Sequence, residues 1–360
     1  MSHQNTQNIC FFNTTTFWGG GEKWHFDTAC LAQQNGHRVF FVCSPNSVLK
    51  EKLQEKGIET LTVSNKKLGF LSLRKIRSIT RFLKDKQIQS VIFNNPADLK
   101  LGGLAAYSAK TPVVDYRRGI AVEVKKKTFT QWLFKKVITH FIFNSNATRA
   151  LMLKNFSSII EQKNHQVIYN AIDFPKSKGL TTDNARFVIG NAGRIVAQKA
   201  QHYLIEIAKI LIAKQLDLEI QIAGEGPKFD ALKQLIEEEN LSQHITLLGF
   251  VKDMDNFMEG IDVFVSTAIW EGFGFVLAEA MTHKKPCLAF NISSNPELIQ
   301  PNETGYLIPP FQLNVFAEKL LLLANDKDLR KKMGEKAYTF AQLNFEKQKQ
   351  FEKLISFISS

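Results

Sequence analysis

The sequence predicts an α/β protein with two doubly wound parallel sheets, one in each half of the chain. Short apolar segments alternate with longer amphipathic ones, a pattern typical of parallel strands covered by helices on both faces. The alternation stops at a polar stretch, residues 176–184, and then restarts, which indicates a linker and a second domain. The length of 360 residues also exceeds that of one ordinary domain.

The first half, residues 1–175, alternates strands and helices from its start. We expect strands near residues 8–13, 38–43, 60–63, 91–93, 113–114, 141–143 and 167–169, and helices near residues 23–34, 48–56, 71–86, 99–109, 130–138 and 146–154. Gly19–Gly21 stands between the first strand and the first helix, a position at which backbone N–H groups can meet a phosphate. A tight turn without a ligand explains these glycines as well.

The second half, residues 185–344, repeats the same plan. We expect strands near residues 187–190, 218–223, 245–248, 261–266, 286–290 and 305–308, and helices near residues 201–214, 228–240, 278–283, 296–299, 315–323 and 329–342. Apolar residues at helical spacing predict a last helix at about 345–360, which we expect to pack back on the first domain. A cleft between two such halves is the natural ligand site.

Charge is divided unevenly between the halves. The net charge is +12, but residues 1–178 hold 27 Lys and Arg against 11 Asp and Glu, while residues 179–360 hold 19 against 23. The basic first half predicts a polyanionic partner, which is an acidic lipid, an anionic glycan or a nucleic acid. Nucleic acid is the weakest of the three, because the sequence has no zinc-finger, helix-turn-helix or RNP pattern.

Composition excludes several classes of protein. With 44% hydrophobic and 22% charged residues, the chain is typical of globular proteins and not of disordered ones. No apolar run reaches the roughly eighteen residues of a membrane-spanning helix, and the start lacks the features of a signal peptide. Four cysteines without metal-binding spacing lead us to expect reduced thiols in a cytoplasmic protein: Cys10, Cys30, Cys43 and Cys287.

The most informative stretch is Trp270–Met281, between a predicted strand and a predicted helix. Gly272 and Gly274 fall in the turn, where glycine lets the backbone approach a ligand and the helix N–H groups can bind an anion. Glu271 precedes the helix and Glu279 lies about two turns further on, so the two carboxylates can hold different parts of one ligand. Solvated glutamates around a packing turn give the same pattern, but three aromatics favour a pocket wall: Trp270, Phe273 and Phe275.

Loops after other strands of the second half add candidates, because an open α/β sheet binds its ligands at the carboxyl ends of its strands. Arg194 and Lys199 share a loop that begins with Gly193, and together they can clamp a diphosphate. Alone, each would be an ordinary surface cation. Gly224–Pro227 ends the next strand, where a helix-starting turn is the simpler explanation. Gly249–Val251 ends the third strand and could lie against a flat ring.

In this order the motifs resemble those of the retaining GT-B glycosyltransferases of family 4, in particular bacterial members that build lipopolysaccharide and other glycans. The resemblance covers nearly the whole chain. It rests on Gly20–Glu22, Gly36–Val39 and Tyr169–Asp173 in the first half, and on Gly193–Lys199, Gly224–Pro227, Gly249–Val251, Glu271–Met281, Pro296–Ile299 and Gly305–Leu307 in the second.

The resemblance implies two Rossmann-like domains facing across a cleft, with the acceptor in the first domain and a nucleotide sugar in the second. It implies that Arg194 and Lys199 hold the donor diphosphate and stabilise its departing charge. Glu271 would meet the hydroxyls of the sugar, and Glu279 those of the ribose. Other donor contacts are implied at Gly20, Gly21, Gly226, Phe250, Val251, Gly272, Phe273, Gly274 and Phe275.

The resemblance also implies the reaction. The donor would be a UDP-, GDP- or ADP-sugar, with no metal and no other cofactor, since cationic side chains neutralise the diphosphate. The anomeric configuration would be kept by front-face attack assisted by the leaving phosphate. No carboxylate would act as the nucleophile, unlike the paired acids of retaining glycosidases.

The chain departs from the family pattern at Tyr116–Gly119, which we interpret as a loop after the fifth strand. Many members have a histidine on the acceptor side there, whereas this sequence has Arg118, and arginine cannot act as a general base. We therefore expect Arg117 and Arg118 to bind an anionic group of the acceptor or donor. We interpret His140 as a strand-edge residue.

Two segments of the first half mix cations with Phe, Leu or Trp: Lys66–Arg77 and Lys125–Lys136. This composition is typical of a surface that lies on anionic lipid. Helices with their aromatics in the core and their lysines in water would show it too. Together with the charge excess, the segments favour a peripheral enzyme at the inner membrane.

The sequence thus predicts a transferase that moves a sugar from a nucleotide sugar to a lipid-linked glycan or a lipopolysaccharide-core acceptor. Two alternatives remain. A nucleotide-sugar epimerase or another GT-B enzyme would work without this acceptor, and a phosphorylase among them would carry a coloured pyridoxal cofactor. A non-catalytic glycolipid-binding module would not need Arg194, Lys199, Glu271 and Glu279 together.

Overall fold

The computed structural model describes residues 6–65, 69–175 and 185–360. The chain divides into two compact units: Met1–Ala171 with Gln348–Ser360 (unit 1), and Ile172–Lys347 (unit 2). The predicted linker at residues 176–184 lies outside the described residues, as do the first three residues of the basic segment Lys66–Arg77.

Unit 1 is built on a seven-stranded sheet whose neighbouring strands are all parallel. Its strands are β1 Asn8–Asn13, β2 Arg38–Cys43, β3 Glu59–Thr62, β4 Ser90–Phe93, β5 Val113–Arg118, β6 His140–Phe143 and β7 Asn164–Val167. Their spatial order is β3-β2-β1-β4-β5-β6-β7. The chain order reverses between β1 and β4, and parallel sheets open a ligand crevice at the carboxyl ends of the strands at such a point.

Helices cover both faces of this sheet. They are α1 Gly20–Gln34, α2 Val48–Glu55, α3 Leu73–Asp85, α4 Pro96–Ala109, α5 Thr128–Lys136 and α6 Asn146–Ile160. Phe11 and Phe12 are adjacent in β1 and belong to two different buried clusters, because successive strand residues point to opposite faces. Four helices begin at a side chain that accepts a backbone N–H, the usual start signal: Ser47, Ser72, Asn95 and Ser145.

Unit 2 repeats the architecture with six parallel strands. They are β8 Phe187–Ala192, β9 Leu218–Ala223, β10 Ile245–Gly249, β11 Val263–Ser266, β12 Cys287–Phe290 and β13 Gly305–Ile308. Their order, β10-β9-β8-β11-β12-β13, reverses between β8 and β11. The predicted fold class, two doubly wound α/β domains, is therefore confirmed.

Among the described residues, seven α-helices follow the strands of unit 2, and one more follows them near residue 360. They are α7 Tyr203–Ala213, α8 Phe229–Glu238, α9 Met254–Gly260, α10 Phe275–Thr282, α11 Asn295–Leu298, α12 Leu313–Asn325, α13 Lys327–Phe345 and α14 Lys347–Ile358. Helix α14 belongs almost entirely to unit 1, where Phe351 and Leu354 join the buried cluster of β1. The apolar spacing that predicts this helix is thus the face that packs on unit 1.

The structure differs from the sequence prediction at three places that matter for the site. Strand β5 continues to Arg118, so the loop predicted at Tyr116–Gly119 is wrong. Helix α10 begins at Phe275, three residues earlier than predicted, directly after Gly274. Helix α9 was not predicted, because its seven residues carry too short an apolar pattern, although Asp253 caps it by accepting the N–H of Asn256.

The cysteines are all free thiols, three of them buried and Cys30 partly exposed. Burial raises the pKa of the Cys43 thiol to about 11, which keeps it protonated at neutral pH. None of the described helices is both long enough and apolar enough to cross a membrane.

Candidate active site

Two loops of unit 2 carry most of the predicted site residues. The loop after β8 contains Arg194 and Lys199, and the loop after β11 contains Glu271 and the glycine turn before α10. Strands β8 and β11 are parallel neighbours at the point where the chain order reverses. Both loops therefore lie at the sheet edge where this fold class binds ligands.

An ion pair joins the two loops, from Lys199 Nζ to Glu271 Oε1. The two side chains are 23% and 12% exposed, so the pair is largely shielded from water but still reachable by a ligand. The backbone on both sides of the pair is fixed. Thr267 Oγ1 donates to Lys199 O at 3.1 Å, and Ser294 Oγ donates to Glu271 O at 3.3 Å.

Gln198 strengthens the connection between these loops. Its carbonyl accepts the N–H of Ile269 at 2.9 Å, and its side-chain Nε2 donates to Trp270 O, also at 2.9 Å. The two charged residues are thus held by neighbours on either side. Charges fixed in this way need little reorganisation when a ligand binds, which is how electrostatic stabilisation becomes large.

Gly274 is the N-cap of α10 and has a left-handed backbone with φ of +86°. A Cβ at this position would lie 3.1 Å from Leu298 Cδ1, so both the backbone and the packing favour glycine. The first turn of α10 comes directly after Gly274, and the backbone N–H groups at such a helix start stabilise negative charge. The neighbouring Phe273 ring packs in the interior of unit 2, 5.3 Å from the Phe345 ring, which leaves its backbone as the part that can face a ligand.

Glycines also let the ends of β8 and β9 touch. A Cβ on Gly224, whose φ is +139°, would lie 2.0 Å from Gly193 O, and one on Gly226 would lie 2.3 Å from Ile195 O. Ile195 N donates to Glu225 O at 2.8 Å across the same contact. Backbone packing therefore accounts for Gly226 being glycine, and its predicted contact with the donor stays a prediction.

The other predicted donor residues of unit 2 differ in exposure. Arg194 is exposed, and its side chain has no hydrogen bond or ion pair to any part of the chain that the structure describes, whereas its carbonyl accepts Gln201 Nε2 at 3.4 Å. Phe250 is 75% exposed at the end of β10, and Val251 beside it is partly buried. Glu279 lies partly buried in the middle of α10. Their ligand contacts stay predictions.

The glycine turn of unit 1 lies where β1 and β4 separate. Gly20 and Gly21 are the first residues of α1, and Gly19 is its N-cap. A Cβ on Gly21 would lie 2.5 Å from Asn94 Nδ2, because Asn94 follows β4 and reaches over this turn. The side-chain amide and the helix start therefore present N–H donors at one place.

Arg117 lies inside unit 1, at the end of β5, and not in a loop as the sequence suggests. It is 2% exposed, and its guanidinium carbon stands 3.9 Å from the centre of the Trp24 ring. Nη1 donates to Asn94 Oδ1 at 2.7 Å and Nη2 donates to Asn170 Oδ1. Burial lowers the pKa of Arg117 to about 9, while the charge of Glu22 acts in the opposite direction.

This environment explains why the loop prediction fails. Arginine is almost always exposed, but here a ring face and two amide oxygens replace the water around the guanidinium. A ligand anion could reach Arg117 directly only by displacing one of these partners, so its predicted anion contact remains a prediction. Arg118 is also buried, at 5% exposure, and donates to Val122 O.

Sequence reasoning assigned no role to a buried polar cluster around the start of α1. Asn13 Nδ2 donates to Glu22 Oε1 at 3.1 Å and lies 3.3 Å from His25 Nδ1. Glu22 is 7% exposed and His25 is fully buried. Burial, followed by the charge of Arg117, holds the pKa of His25 well below its ordinary value, so the ring is neutral. The sequence did contain one signal for this cluster, because Asn13 is a polar residue at the end of the otherwise apolar strand β1.

Metal ligands do not gather in the described ranges. Among residues 6–65, 69–175 and 185–360, no three His, Cys, Asp or Glu side chains are arranged to hold a metal ion. Among the predicted site residues of unit 2, the structure joins Lys199 and Glu271 in an ion pair.

Comparison with known proteins assigns the chain. The sequence model described as Glycosyltransferase Family 4 matches residues 18–175, and the one described as Glycosyl transferases group 1 matches residues 173–340. Together they cover nearly the whole chain. The chain belongs to the family 4 glycosyltransferases, which have the GT-B fold.

Individual relatives of this glycosyltransferase differ in their sequence identity to the chain and in the length that they match. A poly(ribitol-phosphate) alpha-N-acetylglucosaminyltransferase of Staphylococcus aureus is 31% identical over 57% of this chain, which spans 42% of that relative. A UDP-Gal:alpha-D-GlcNAc-diphosphoundecaprenol alpha-1,3-galactosyltransferase of Escherichia coli is 28% identical over 71% of this chain and 72% of its own length. The crystal structure of Anabaena Alr3699/HepE with UDP shares the fold, with a TM-score of 0.83, 20% identity and coverage of 98% and 100%.

Proposed function

We propose that this glycosyltransferase moves a sugar from a nucleoside-diphosphate sugar to a lipid-linked glycan or a lipopolysaccharide-core acceptor, with retention of configuration. The observation that carries the proposal is the Lys199–Glu271 pair beside the start of α10. A sugar diphosphate has a doubly charged leaving group next to a ring of hydroxyls. A fixed cation, a helix start and a carboxylate are the groups that match it.

In the proposed complex, Lys199 and the exposed Arg194 bind the diphosphate from unit 2, and the first N–H groups of α10 bind its remaining oxygens. Glu271 accepts hydrogen bonds from the sugar hydroxyls, and Glu279 from the ribose. As the bond between the anomeric carbon and the diphosphate breaks, negative charge grows on the leaving oxygen. The two cations stabilise that charge, so the reaction proceeds without a metal.

The relatives support the classes of donor and acceptor. The name of the Escherichia coli relative gives UDP-galactose as its donor and a diphosphoundecaprenol glycan as its acceptor. The Anabaena HepE structure holds UDP. We therefore propose a uridine nucleotide sugar as the first donor to test, with GDP- and ADP-sugars as the alternatives.

For the acceptor side, we propose that unit 1 lies on the anionic cytoplasmic face of the inner membrane. The rings of Phe70, Phe129, Trp132 and Tyr107 form one aromatic patch, with successive centroids 5.7, 6.0 and 5.6 Å apart. The patch therefore connects the two basic segments. Leu71 and Leu73 beside it are 63% and 65% exposed, and apolar side chains among lysines suit an anionic bilayer.

The activity is tested by a screen of common nucleotide sugars for donor hydrolysis, repeated with a crude lipid-linked glycan extract. We expect one donor to turn over faster with the extract, and the product to keep the anomeric configuration of the donor by NMR. Turnover in EDTA should equal turnover without it. An inverted product would contradict retention, and interconversion of free nucleotide sugars without an acceptor would favour the epimerase.

The membrane proposal has a separate test. The protein should sediment with vesicles of anionic phospholipid but not with neutral ones, and added salt should weaken binding because it screens charge. Leu71→Ser with Leu73→Ser should weaken binding further, while Leu343→Ser, an exposed leucine of unit 2 at 63%, should not. Equal sedimentation with both kinds of vesicle would contradict the proposal.

A further inference from the structure

We propose that Phe17 and Glu22 form a subsite of unit 1 for one sugar ring of the acceptor glycan. Phe17 packs against the C–H face of that ring, and Glu22 accepts a hydrogen bond from one of its hydroxyls. The subsite rests on the proposed transferase function and lies wholly within unit 1. Glu22 takes no proton in this role, so the subsite adds nothing to the front-face reaction except binding of the acceptor.

Both residues stand at the edge of unit 1 where its sheet binds ligands. Phe17 belongs to the loop between β1 and α1, and Glu22 is the third residue of α1. The chain order of the sheet reverses between β1 and β4, and such a reversal opens a crevice at the carboxyl ends of the strands. A ligand of unit 1 therefore meets this loop.

The Phe17 ring is left in water although its neighbour is packed. Phe17 is 67% exposed and contacts no other aromatic ring in the described part of the chain. Trp18, by contrast, packs edge-on against Phe26 at 6.1 Å, and Lys52 Nζ stands 5.1 Å from the centre of the Trp18 ring. One face of a sugar ring carries mainly C–H groups, so packing it on an exposed aromatic ring removes apolar surface of both from water.

The loop before α1 is fixed, so its exposed ring is held in place. Thr14 donates its backbone N–H, at 3.0 Å, and its hydroxyl to the buried carboxyl group of Asp98. The N–H of Thr15 donates to Asn13 Oδ1 at 3.0 Å. These contacts hold the start of the loop, and the packing of Trp18 holds its end. Binding a ligand there costs little ordering of the protein.

Glu22 supplies a hydrogen-bond acceptor beside this loop. Its Oε1 accepts a hydrogen bond from Asn13 Nδ2 at 3.1 Å, whereas its Oε2 has no hydrogen-bond partner in the described part of the chain. The side chain is only 7% exposed, and the charge of buried Arg117 interacts with it. A carboxylate oxygen held in this way makes a strong hydrogen bond to a hydroxyl, because the acceptor is charged.

Gly19 leaves a space between the two groups. A Cβ at this position would lie 3.2 Å from Glu22 Oε2 and 4.0 Å from Phe17 Cε2, so the carboxylate oxygen and the ring edge flank one point. The backbone of Gly19 is extended, with φ of −158° and ψ of −172°, which other residues adopt as well. Space, and not backbone conformation, is therefore what the glycine provides here.

A glycan suits this place better than a lipid surface does. An exposed phenylalanine alone would fit a bilayer, but the neighbouring carboxylate would repel the phosphates of anionic lipid. Sugar hydroxyls donate hydrogen bonds, and the C–H face of the same ring is apolar. An aromatic ring next to a carboxylate oxygen without a partner matches both properties of one ligand.

The test measures glycan binding without any donor. The probe is the glycan mixture that mild acid releases from the lipid-linked extract, reduced with tritiated borohydride, and equilibrium dialysis with the full chain gives Kd. Phe17→Ala should raise Kd about tenfold, because the ring face is lost. Phe17→Tyr keeps the ring and should bind as wild type. Phe311→Ala, which removes a 52% exposed phenylalanine of unit 2, is the matched control and should leave Kd unchanged.

Two further variants test the carboxylate and the space. Glu22→Gln should raise Kd about tenfold, because it places an NH2 group where Oε2 accepts. Asp27→Asn, which changes an acid of α1 that pairs with Lys23, should behave as wild type. Gly19→Ala keeps every charge and both groups, but its methyl group fills the space between them, so we expect Kd to rise about fivefold.

An unchanged Kd for Phe17→Ala would overturn the proposal, and folding does not obscure this result because the side chain is exposed. Loss of sedimentation with anionic vesicles at an unchanged glycan Kd would assign Phe17 to lipid instead. Wild-type enzyme that transfers sugar but binds none of the released glycans would overturn the proposal too. If wild type transfers no sugar from any donor, the proposed function fails, whether or not the glycans bind.

Discussion

Units 1 and 2 share one doubly wound plan, yet they place charged side chains in opposite ways. In unit 2 the cation Arg194 is exposed, and Lys199 pairs with Glu271 in a position that a ligand can reach. In unit 1 the cation Arg117 is buried against Trp24 and bonded to two asparagines. An accessible cation can change partner when a ligand arrives, whereas a buried one is committed to holding the protein together.

This difference shows that one fold can use charged side chains either to bind a ligand or to stabilise the protein. The loops of unit 2 hold charge ready for a charged leaving group. The loops of unit 1 are held in place by buried charge, because the Arg117 guanidinium donates to Asn94 and Asn170. The surface of unit 1 carries most of the positive charge instead, which suits an anionic membrane better than a buried substrate site.

The largest expected effect is a difference in stability between variants of Arg117 and Arg194. Arg117→Ala should cost about 3 to 5 kcal/mol of unfolding free energy, because it leaves Glu22 and two asparagines without their buried partner. Arg194→Ala should change stability by about 0.5 kcal/mol or less, since it is a surface substitution. The free energy of unfolding of both variants, measured in urea, gives the comparison. Equal stability losses would break the comparison between the units.

The second prediction tests whether the positive charge of Lys199 in unit 2 stabilises the leaving diphosphate. Lys199→Ala should lower kcat for transfer by about 100-fold to 1000-fold, as for the loss of one preorganised group that stabilises leaving charge. Lys233→Ala, which changes an exposed lysine of α8, is the matched control. Steady-state kinetics with the donor found in the screen gives the result. If turnover and donor affinity both stay unchanged in Lys199→Ala, the diphosphate clamp is wrong.

A third prediction concerns the buried acids of unit 1. Burial raises the pKa of Asp115 to about 7 and that of Asp98 to about 6, from an ordinary value of 3.8. A raised pKa in the folded state means that the folded protein holds the proton more tightly, so its stability falls as pH rises from about 4 to about 7.

Asp115→Asn should remove part of this dependence, and it should make the protein more stable than wild type at pH 8, because no charge is then buried. The free energy of unfolding, measured in urea at pH 5 and at pH 8, gives the comparison. A wild-type protein whose stability rises across this pH range would contradict the assignment.

The smallest effect tests the ribose contact. Glu279→Ala should raise the donor KM about tenfold, as for a lost hydrogen bond to a charged group, and should leave kcat nearly unchanged. Glu237→Ala, an exposed acid of α8, serves as the control. An unaltered donor KM would remove Glu279 from the donor site.

The sequence predicts the parts of this enzyme whose signals are local. Alternating apolar segments define the strands, and the glycines at positions 272 and 274 mark the turn before α10, although the helix itself begins three residues earlier than predicted. The Arg117 environment could not be predicted in this way. Its partners Asn94 and Asn170 are 23 and 53 residues away along the chain, and only the folded sheet brings them together. The same burial hides the last part of β5, whose charged residues do not look like a strand.

The central claim is that Arg194 and Lys199 of unit 2 bind the donor diphosphate. The acids Glu271 and Glu279 lie on either side of that contact. A crystal structure of the enzyme with a bound nucleotide sugar tests it most directly. We predict diphosphate oxygens about 3 Å from Lys199 Nζ and from the Arg194 guanidinium, with the ribose hydroxyls at Glu279. A nucleotide sugar bound away from these four residues would contradict the account.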